Sequence, residues 1–387
     1  MSAAPHVLFA GGGVGGRLDP GLAVAAHFAQ KMPHAMISFA GPGRFRERHT
    51  VRSAGYQYLN IPSRPAPQNP LQAVRFITDN VAGYCAARWM LREQRISAVV
   101  GLGGYTSAAI VRAAVARGTP IILLEQNAVP GRTTRWLSRS SALVCVAFEE
   151  ARSHLHVQTP VTVTGNPVRS EVEQLYRRTQ PTGRNLRALP AEEGAAQKKR
   201  LVVLGGAEGA RSLNESIPSA LKILGQLKDD WQIVHQTGEG QLQVTDGRYQ
   251  QLGVEALVVT SIDEIASVLF ASDLVVCRAG GTTLAELALA GVPALLVPSP
   301  QAADDYQIAN AKVFTSAGAC RLIDESSQTG ALDTALAREL KSLISNSQLR
   351  HDMGLKMQSL ARPQASEDIA SAIRDTLCGT HTELLAA

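Results

Sequence analysis

The 387-residue chain has few cysteines, and they form no pattern. Cys85, Cys145, Cys277, Cys320 and Cys378 are scattered, odd in number and without a C-x-x-C pair. That argues against a disulfide framework or a thiolate zinc site and for a reducing compartment. No run of about 18 apolar residues occurs, and no basic stretch followed by an apolar one opens the chain. The expectation is a protein with neither a spanning helix nor a standard export signal. Acidic residues are scarce in one part only. Residues 1–165 carry 17 Lys+Arg, 16 of them arginine, against 7 Asp+Glu, a balance of +10. The remainder carries 21 against 26, a balance of −5, so the net +5 is unevenly spread. A basic half suits an anionic partner (nucleic acid, phospholipid or a diphosphate) unless it is only a solvated face.

What is present is ordinary for a globular protein, with 45% hydrophobic and 18% charged residues. The length exceeds one comfortable core and predicts two domains. Short apolar runs alternate with amphipathic ones: HVLFA, MISFAG, AVVGLGG, PIILLEQN, LVCVAF and VTVTGNP. Near-continuous apolar strands between helices predict a parallel sheet covered on both faces. Residues 177–200 are polar and read as a surface excursion or linker. A second alternation follows, with RLVVLGGAEGAR, WQIVHQTG, ALVVTS, DLVVCRAGG, PALLVPSP and CRLID. The fold expected is two Rossmann-type α/β domains in tandem, with ligands at the carboxyl ends of the strands and a cleft between domains.

Glycine-rich turns follow the first strand of each half. Gly11, Gly13 and Gly16 have G-x-G-x-x-G spacing. The second strand, Met36 to Gly41, ends without the acid that a dinucleotide's ribose requires. Arg17 and Leu18 stand where a Walker loop needs Lys and Ser/Thr, so that chemistry fails as well. A phosphate-binding turn and a purely structural one remain. In the second half, Gly280 to Thr283 predicts a helix N-terminus aimed at a diphosphate. Glu286, one turn further, is placed to accept from a ribose diol.

These stretches, together with GNPVR, Ile262-Asp263 and DDYQIANA, resemble the MurG family of bacterial cell-wall glycosyltransferases. The matching motifs run in order from about residue 11 to residue 311. The resemblance implies the GT-B fold, with residues 1–168 as an acceptor- and membrane-facing domain and 169–365 as the nucleotide-sugar domain. Residues 366–387 would form a helix and tail packing back toward the first domain. The activity implied is inverting transfer of N-acetylglucosamine from UDP-N-acetylglucosamine to undecaprenyl-diphospho-N-acetylmuramoyl-pentapeptide. The resemblance implies no metal and no cofactor beyond the sugar-nucleotide substrate, and the chain has no D-x-D pair. The substrate contacts it implies are Val14, Gly15, Gly16, Asn127, Arg169, Ala207, Ile262, Gly281, Thr282, Thr283, Leu284, Ala285, Glu286, Tyr306 and Gln307. Implied partners are the UDP-sugar, the lipid-linked acceptor and an anionic membrane surface, with no nucleic acid. The implied location is peripheral, on the cytoplasmic face of the membrane.

The chain departs from the family pattern at several side chains. Val14 and Arg17 stand in place of a threonine and the histidine expected to activate the acceptor. Leu124 opens LEQN in place of a histidine, and Ala207, Glu208 and Ala279 replace Ser, Gln and Ser. Ser261 stands where an aromatic precedes Ile262, and Tyr306 where a His or Gln precedes Gln307. An arginine cannot be a general base, so Arg17 is expected to bind a diphosphate. Asp19 is the first replacement base and Glu125 the second, unless Asp19 only caps the helix that Pro20 begins. A related GT-B transferase with another acceptor, or a nucleotide-sugar-binding protein that has lost turnover, remains the alternative.

Overall fold

A computed structural model describes residues 4–12, 16, 18–65, 67, 69, 72–179, 198–206, 208–327 and 330–386. The chain divides into two compact units, Met1–Arg169 with Gln364–Ala387, and Ser170–Pro363.

The first unit runs β1 (His6–Ala10), α1 (Leu18–Lys31), β2 (Met36–Gly41), α2 (Phe45–Ser53), β3 (Gln57–Asn60), α3 (Ala73–Glu93), β4 (Ala98–Gly101), α4 (Tyr105–Val115), β5 (Ile121–Glu125), α5 (Arg132–Leu137), β6 (Leu143–Val146) and β7 (Val161–Val163). Among the described residues its seven strands are parallel, in the order β3-β2-β1-β4-β5-β6-β7. Alternation along β1 separates two core layers. Val7 and Phe9 pack with α1 and with Val51 of α2, whereas Leu8 and Ala10 pack with Ala87 and Met90 of α3 and Ile110 of α4. After His6, whose ring is held by Ser38 Oγ and the Gln94 carbonyl, the strand is buried on both faces, which is why VLFA reads as a continuous apolar run.

The second unit runs α6 (Ser170–Thr179), β8 (Lys199–Leu204), α7 (Arg211–Leu224), β9 (Trp231–Gln236), α8 (Leu242–Leu252), β10 (Leu257–Val259), α9 (Ile265–Phe270), β11 (Leu274–Cys277), α10 (Gly281–Ala290), β12 (Ala294–Leu296), α11 (Tyr306–Ser316), β13 (Cys320–Leu322), α12 (Leu332–Ser345) and α13 (Ser347–Ser359). Among the described residues its six parallel strands are ordered β10-β9-β8-β11-β12-β13. The polar stretch from 177 is narrower than expected: α6 continues to Thr179 and β8 starts at Lys199, while 180–197 lie outside the described residues.

The last helix, α14 (Ala365–Ala386), belongs to the first unit. Ile369, Ile373 and Leu377 recur every four residues and enter the same layer as Val24, Ala25 and Phe28 of α1. Lys31 Nζ donates to Glu367 Oε1 at 3.1 Å on the rim of that contact. Each buried Ile or Leu contributes about 1.5–3 kcal/mol; an ion pair that is partly exposed adds about 1 kcal/mol at most.

Candidate active site

Both sheets reverse their strand order once, at β1/β4 in the first unit and at β8/β11 in the second. Ligands of open α/β sheets bind outside the carboxyl ends of the strands at such points. In each unit, glycine-bearing loops follow both strands of the pair.

In the first unit, Gly11 and Gly12 leave β1 with φ of 113° and 138°, and Gly103 and Gly104 leave β4 with 83° and 76°. A Cβ on Gly11 would lie 3.0 Å from the Gly103 carbonyl oxygen, so the two loops touch backbone to backbone. Thr106 Oγ1 donates to the Gly12 carbonyl at 3.4 Å, and Ser107 Oγ to that of Gly104 at 2.9 Å. Gly16 is half-buried; Val14, Gly15 and Arg17 lie outside the described residues.

Asp19 is in the first turn of α1 and is partly buried. Burial pushes its carboxyl above the usual carboxylate range, and the positive charge of Arg169 pulls the other way. The chain thus brings together two residues that sequence reasoning named separately, 150 positions apart. Glu125 ends β5 and is buried. Its Oε1 accepts from the Asn127 backbone N at 3.2 Å and from Asn127 Nδ2 at 3.1 Å; Oε2 accepts from Gly131 N at 3.1 Å. Burial raises its pKa against the bonds from Thr134, Gly131 and Asn127. Glu125 therefore ties its own loop together and fixes the side chain of Asn127.

In the second unit, the turn after β8 and the turn after β9 cross at van der Waals contact. Gly205 N donates to the Gln236 carbonyl at 2.9 Å, and a Cβ on Gly238 would lie 2.2 Å from Gly209 N. Gly209 and Gly238 also have φ near 80°. No side chain is possible at either position. Gly238 N reaches the Thr260 carbonyl at 3.2 Å, which joins HQTG to the loop carrying the half-buried Ile262. Ala207 lies outside the described residues.

Gly280 is the N-cap residue of α10, and the helix's own bonding starts with Leu284 N to the Gly280 carbonyl at 3.0 Å. The first-turn amides have no intrahelical acceptor, and a helix start of this kind suits an anion. Gly281 and Leu284 are buried, Thr282, Thr283 and Ala285 are partly exposed, and Glu286 is buried one turn in. Gln307 Oε1 accepts from Ser299 N at 2.9 Å, and its Nε2 faces the Tyr306 hydroxyl at 3.4 Å. Asp304 and Asp305, at the start of α11, are both in the left-handed region, with φ of 53° and 51°. Asp tolerates that region better than most residues.

Three arrangements escaped the sequence. Arg278 is the hub of the second-unit loops. Its Nη1 donates to the carbonyls of Val297 at 2.9 Å and Pro298 at 3.2 Å and to Glu325 Oε2 at 2.7 Å; its Nη2 donates to Ser212 Oγ at 2.9 Å. One guanidinium thereby joins the loops after β11 and β12 to the start of α7. Asn310 Nδ2 supports the same turn through the Ala279 carbonyl at 3.1 Å. Beneath HQTG, His235 Nδ1 lies 2.8 Å from the Tyr249 hydroxyl, and its Nε2 lies 3.0 Å from Asn214 Oδ1. In the first unit, the buried Glu47 accepts from the Tyr58 hydroxyl at 2.9 Å beside Gly12 and Gly41. Arginine directly after a buried strand was the available signal for Arg278. The other two join residues too distant in the chain for spacing to reveal.

The glycosyltransferase family 28 N-terminal domain model matches residues 7–146, and the family 28 C-terminal domain model matches 200–369. A Myxococcus xanthus protein named UDP-N-acetylglucosamine–N-acetylmuramyl-(pentapeptide) pyrophosphoryl-undecaprenol N-acetylglucosamine transferase is 35% identical over 375 residues, covering 97% of this chain and 94% of that one. The chain belongs to the MurG family. A Geobacter metallireducens relative of the same name is 33% identical over 94% of this chain and 96% of its own. The crystal structure of Acinetobacter baumannii MurG superimposes with a TM-score of 0.72 at 28% identity, covering 96% of this chain and 99% of that one. The two units are the Rossmann-like domains of the GT-B fold.

On α3, the MurG-family chain shows two opposite surfaces. Gly83, Ala87, Met90 and Leu91 are buried. Val74, Ile77, Val81 and Trp89 are each more than half exposed, beside exposed Arg75, Arg88 and Arg92. These four apolar side chains therefore face solvent rather than the core. Among the described residues, no helix is long and apolar enough to cross a membrane.

Proposed function

We propose that the protein transfers N-acetylglucosamine, with inversion and without a metal ion, from UDP-N-acetylglucosamine to the muramyl-pentapeptide pyrophosphoryl-undecaprenol acceptor of its relatives. The observation that carries this reading is the second-unit switch point. There the crossed glycine turns, the α10 N-terminus and the Arg278 hub fix donors for a nucleoside diphosphate in place before it arrives. The acceptor hydroxyl attacks the anomeric carbon as the bond to UDP breaks, and its proton passes to a base. Asp19 is that base. Its raised pKa brings it nearer the working pH, which strengthens a carboxylate as a proton acceptor. Glu125 is less suited, since both its oxygens already hold its own loop. Arg169 and Arg17 supply positive charge to the departing and the accepting diphosphate. Gly281 to Glu286 receive phosphate and ribose, Ile262 the uracil, and Gln307 the transferred sugar.

The exposed apolar and basic surface of α3 supports a peripheral site on an anionic leaflet, where the lipid acceptor resides. Nothing in this reading requires a nucleic acid. Transfer of radiolabelled N-acetylglucosamine to a lipid-linked acceptor tests the activity; a protein that transfers to no such acceptor refutes it. Co-sedimentation with liposomes tests the membrane role. Binding to anionic but not neutral vesicles is expected, and equal binding to both, or none, opposes it.

A further inference from the structure

The α2 helix carries an ordered basic face that neither the sugar-transfer chemistry nor the membrane surface uses. Arg44, Arg48 and Arg52 recur every four residues and are all exposed. Phe45, 75% exposed, and His49 form a second row beside them, their rings stacked with centroids 6.1 Å apart. The helix has one acid, Glu47, and it points inward to Tyr58, so α2 itself puts no negative charge on this face.

Position ties this face to the acceptor side. Arg44 Nη2 donates to the Tyr105 hydroxyl at 2.9 Å, and Tyr105 directly follows the glycine pair after β4. On its inner side, the same helix turn places Glu47 next to Gly12. The arginine row thus starts at the two first-unit glycine loops and leads away from them. Eight residues of helix carry it about 12 Å. Five extended residues span about 17 Å, so a pentapeptide anchored near those loops reaches the whole row.

We propose that this face of α2 binds the carboxylates of the acceptor's peptide, with Phe45 and His49 as a flat apolar support. The proposal rests on the transferase reading above. A peptide joined to a sugar acid through its amino end terminates in a free carboxylate, and guanidinium pairs with carboxylate through two parallel hydrogen bonds. Lipid headgroups fit less well. Val51 anchors α2 in the core layer of Val7 and Phe9, whereas the exposed apolar helix α3 packs in the layer of Leu8 and Ala10. The arginine row therefore lies over the sheet face opposite to α3.

The test compares two lipid-linked acceptors, one carrying the pentapeptide and one with the peptide removed, using the unmodified protein and the Arg48→Glu/Arg52→Glu variant. The expected result is a rise of at least tenfold in KM for the peptide-bearing acceptor. KM for the peptide-free acceptor and for UDP-N-acetylglucosamine stays within twofold, as does binding to anionic vesicles. An unchanged KM for the peptide-bearing acceptor overturns the proposal. Equal losses with both acceptors, or lost vesicle binding, overturn it in favour of diphosphate or lipid recognition. An unmodified protein that turns over neither acceptor refutes the transferase reading, and the role of α2 in it falls with that.

Discussion

The buried histidine of HQTG makes the stability of the second unit depend on pH in a way that can be worked out. Asn214 Nδ2 donates to the Thr237 carbonyl at 3.0 Å, which leaves Asn214 Oδ1 as an acceptor facing His235 Nε2. The Nε2 atom therefore carries the proton, and Nδ1 accepts from the Tyr249 hydroxyl. A second proton on Nδ1 would lose that acceptor role and put a charge out of reach of bulk solvent, since His235 is fully buried. Burial lowers its pKa from 6.5 to about 3. The unfolded chain binds a proton below pH 6.5 and the folded one does not until about pH 3. Stability from this group is complete above pH 6.5 and declines as the pH falls toward 3. At pH 5 the loss is about 2 kcal/mol relative to pH 8, and the full gap is worth about 5 kcal/mol.

The three tryptophans allow this to be read in one unit. Trp89 and Trp136 lie in the first unit and Trp231, buried beside Arg350, in the second. In a Trp89→Phe/Trp136→Phe chain, fluorescence during urea unfolding follows the second unit alone. That chain should lose about 2 kcal/mol more between pH 8 and pH 5 than the same chain with His235→Gln, which cannot titrate. Nitrogen chemical shifts should show His235 neutral and protonated on Nε2 at pH 5. Parallel pH dependence in the two chains, or a titration midpoint near 6.5, refutes the argument. The consequence reaches the proposed donor site, because Thr237 and Gly238 extend directly from this network into the crossed glycine turns.

Asp19→Asn should lower kcat by about 10²- to 10⁴-fold with UDP affinity unchanged, and kcat of the unmodified protein should rise with pH through a midpoint above the usual aspartate range; full activity in the variant would reduce Asp19 to a first-turn acid on α1. Glu286→Ala should weaken UDP binding by about 1–3 kcal/mol, the scale of a lost charged hydrogen bond, and calorimetry showing unchanged affinity in a folded variant would remove Glu286 from the site. Ile373→Ala should cost the first unit about 2–5 kcal/mol in urea unfolding, and a loss below about 0.5 kcal/mol would mean that α14 is not part of that core.

Burial decided what could be read from the sequence. Among the described residues, twelve of the thirteen strands were legible because they are short apolar runs set between amphipathic segments. The exception, β3, is QYLN at the edge of its sheet, where only Tyr58 is buried and two of its four residues are exposed. An edge strand needs no apolar run, so periodicity misses it. The glycine turns were legible because their constraint is local: positive φ and close backbone approach exclude side chains at each position separately. The Arg278–Glu325 pair and the Asn214–His235–Tyr249 chain were not legible. Each joins elements brought together only by the sheet order, and nothing in local spacing encodes those meetings.

The same distinction clarifies the departures from the family pattern. Leu124 replaces a histidine, but it is 2% exposed and packs in the layer of Val7 and Phe9. Ala279 replaces a serine, and it too is fully buried, its carbonyl held by Asn310. Changes at these two positions therefore fall on buried packing behind the loops. On the proposed reading, the atoms offered to phosphate at Gly12, Gly16 and Gly281 are backbone amides, which no substitution elsewhere removes. On that reading, a chain can exchange several polar side chains in this fold and keep diphosphate binding, provided the glycines that allow close approach remain. The acceptor's proton has no backbone substitute. It needs a titrating side chain, and on the proposed reading that is Asp19, whose carboxyl is raised by burial against the pull of Arg169.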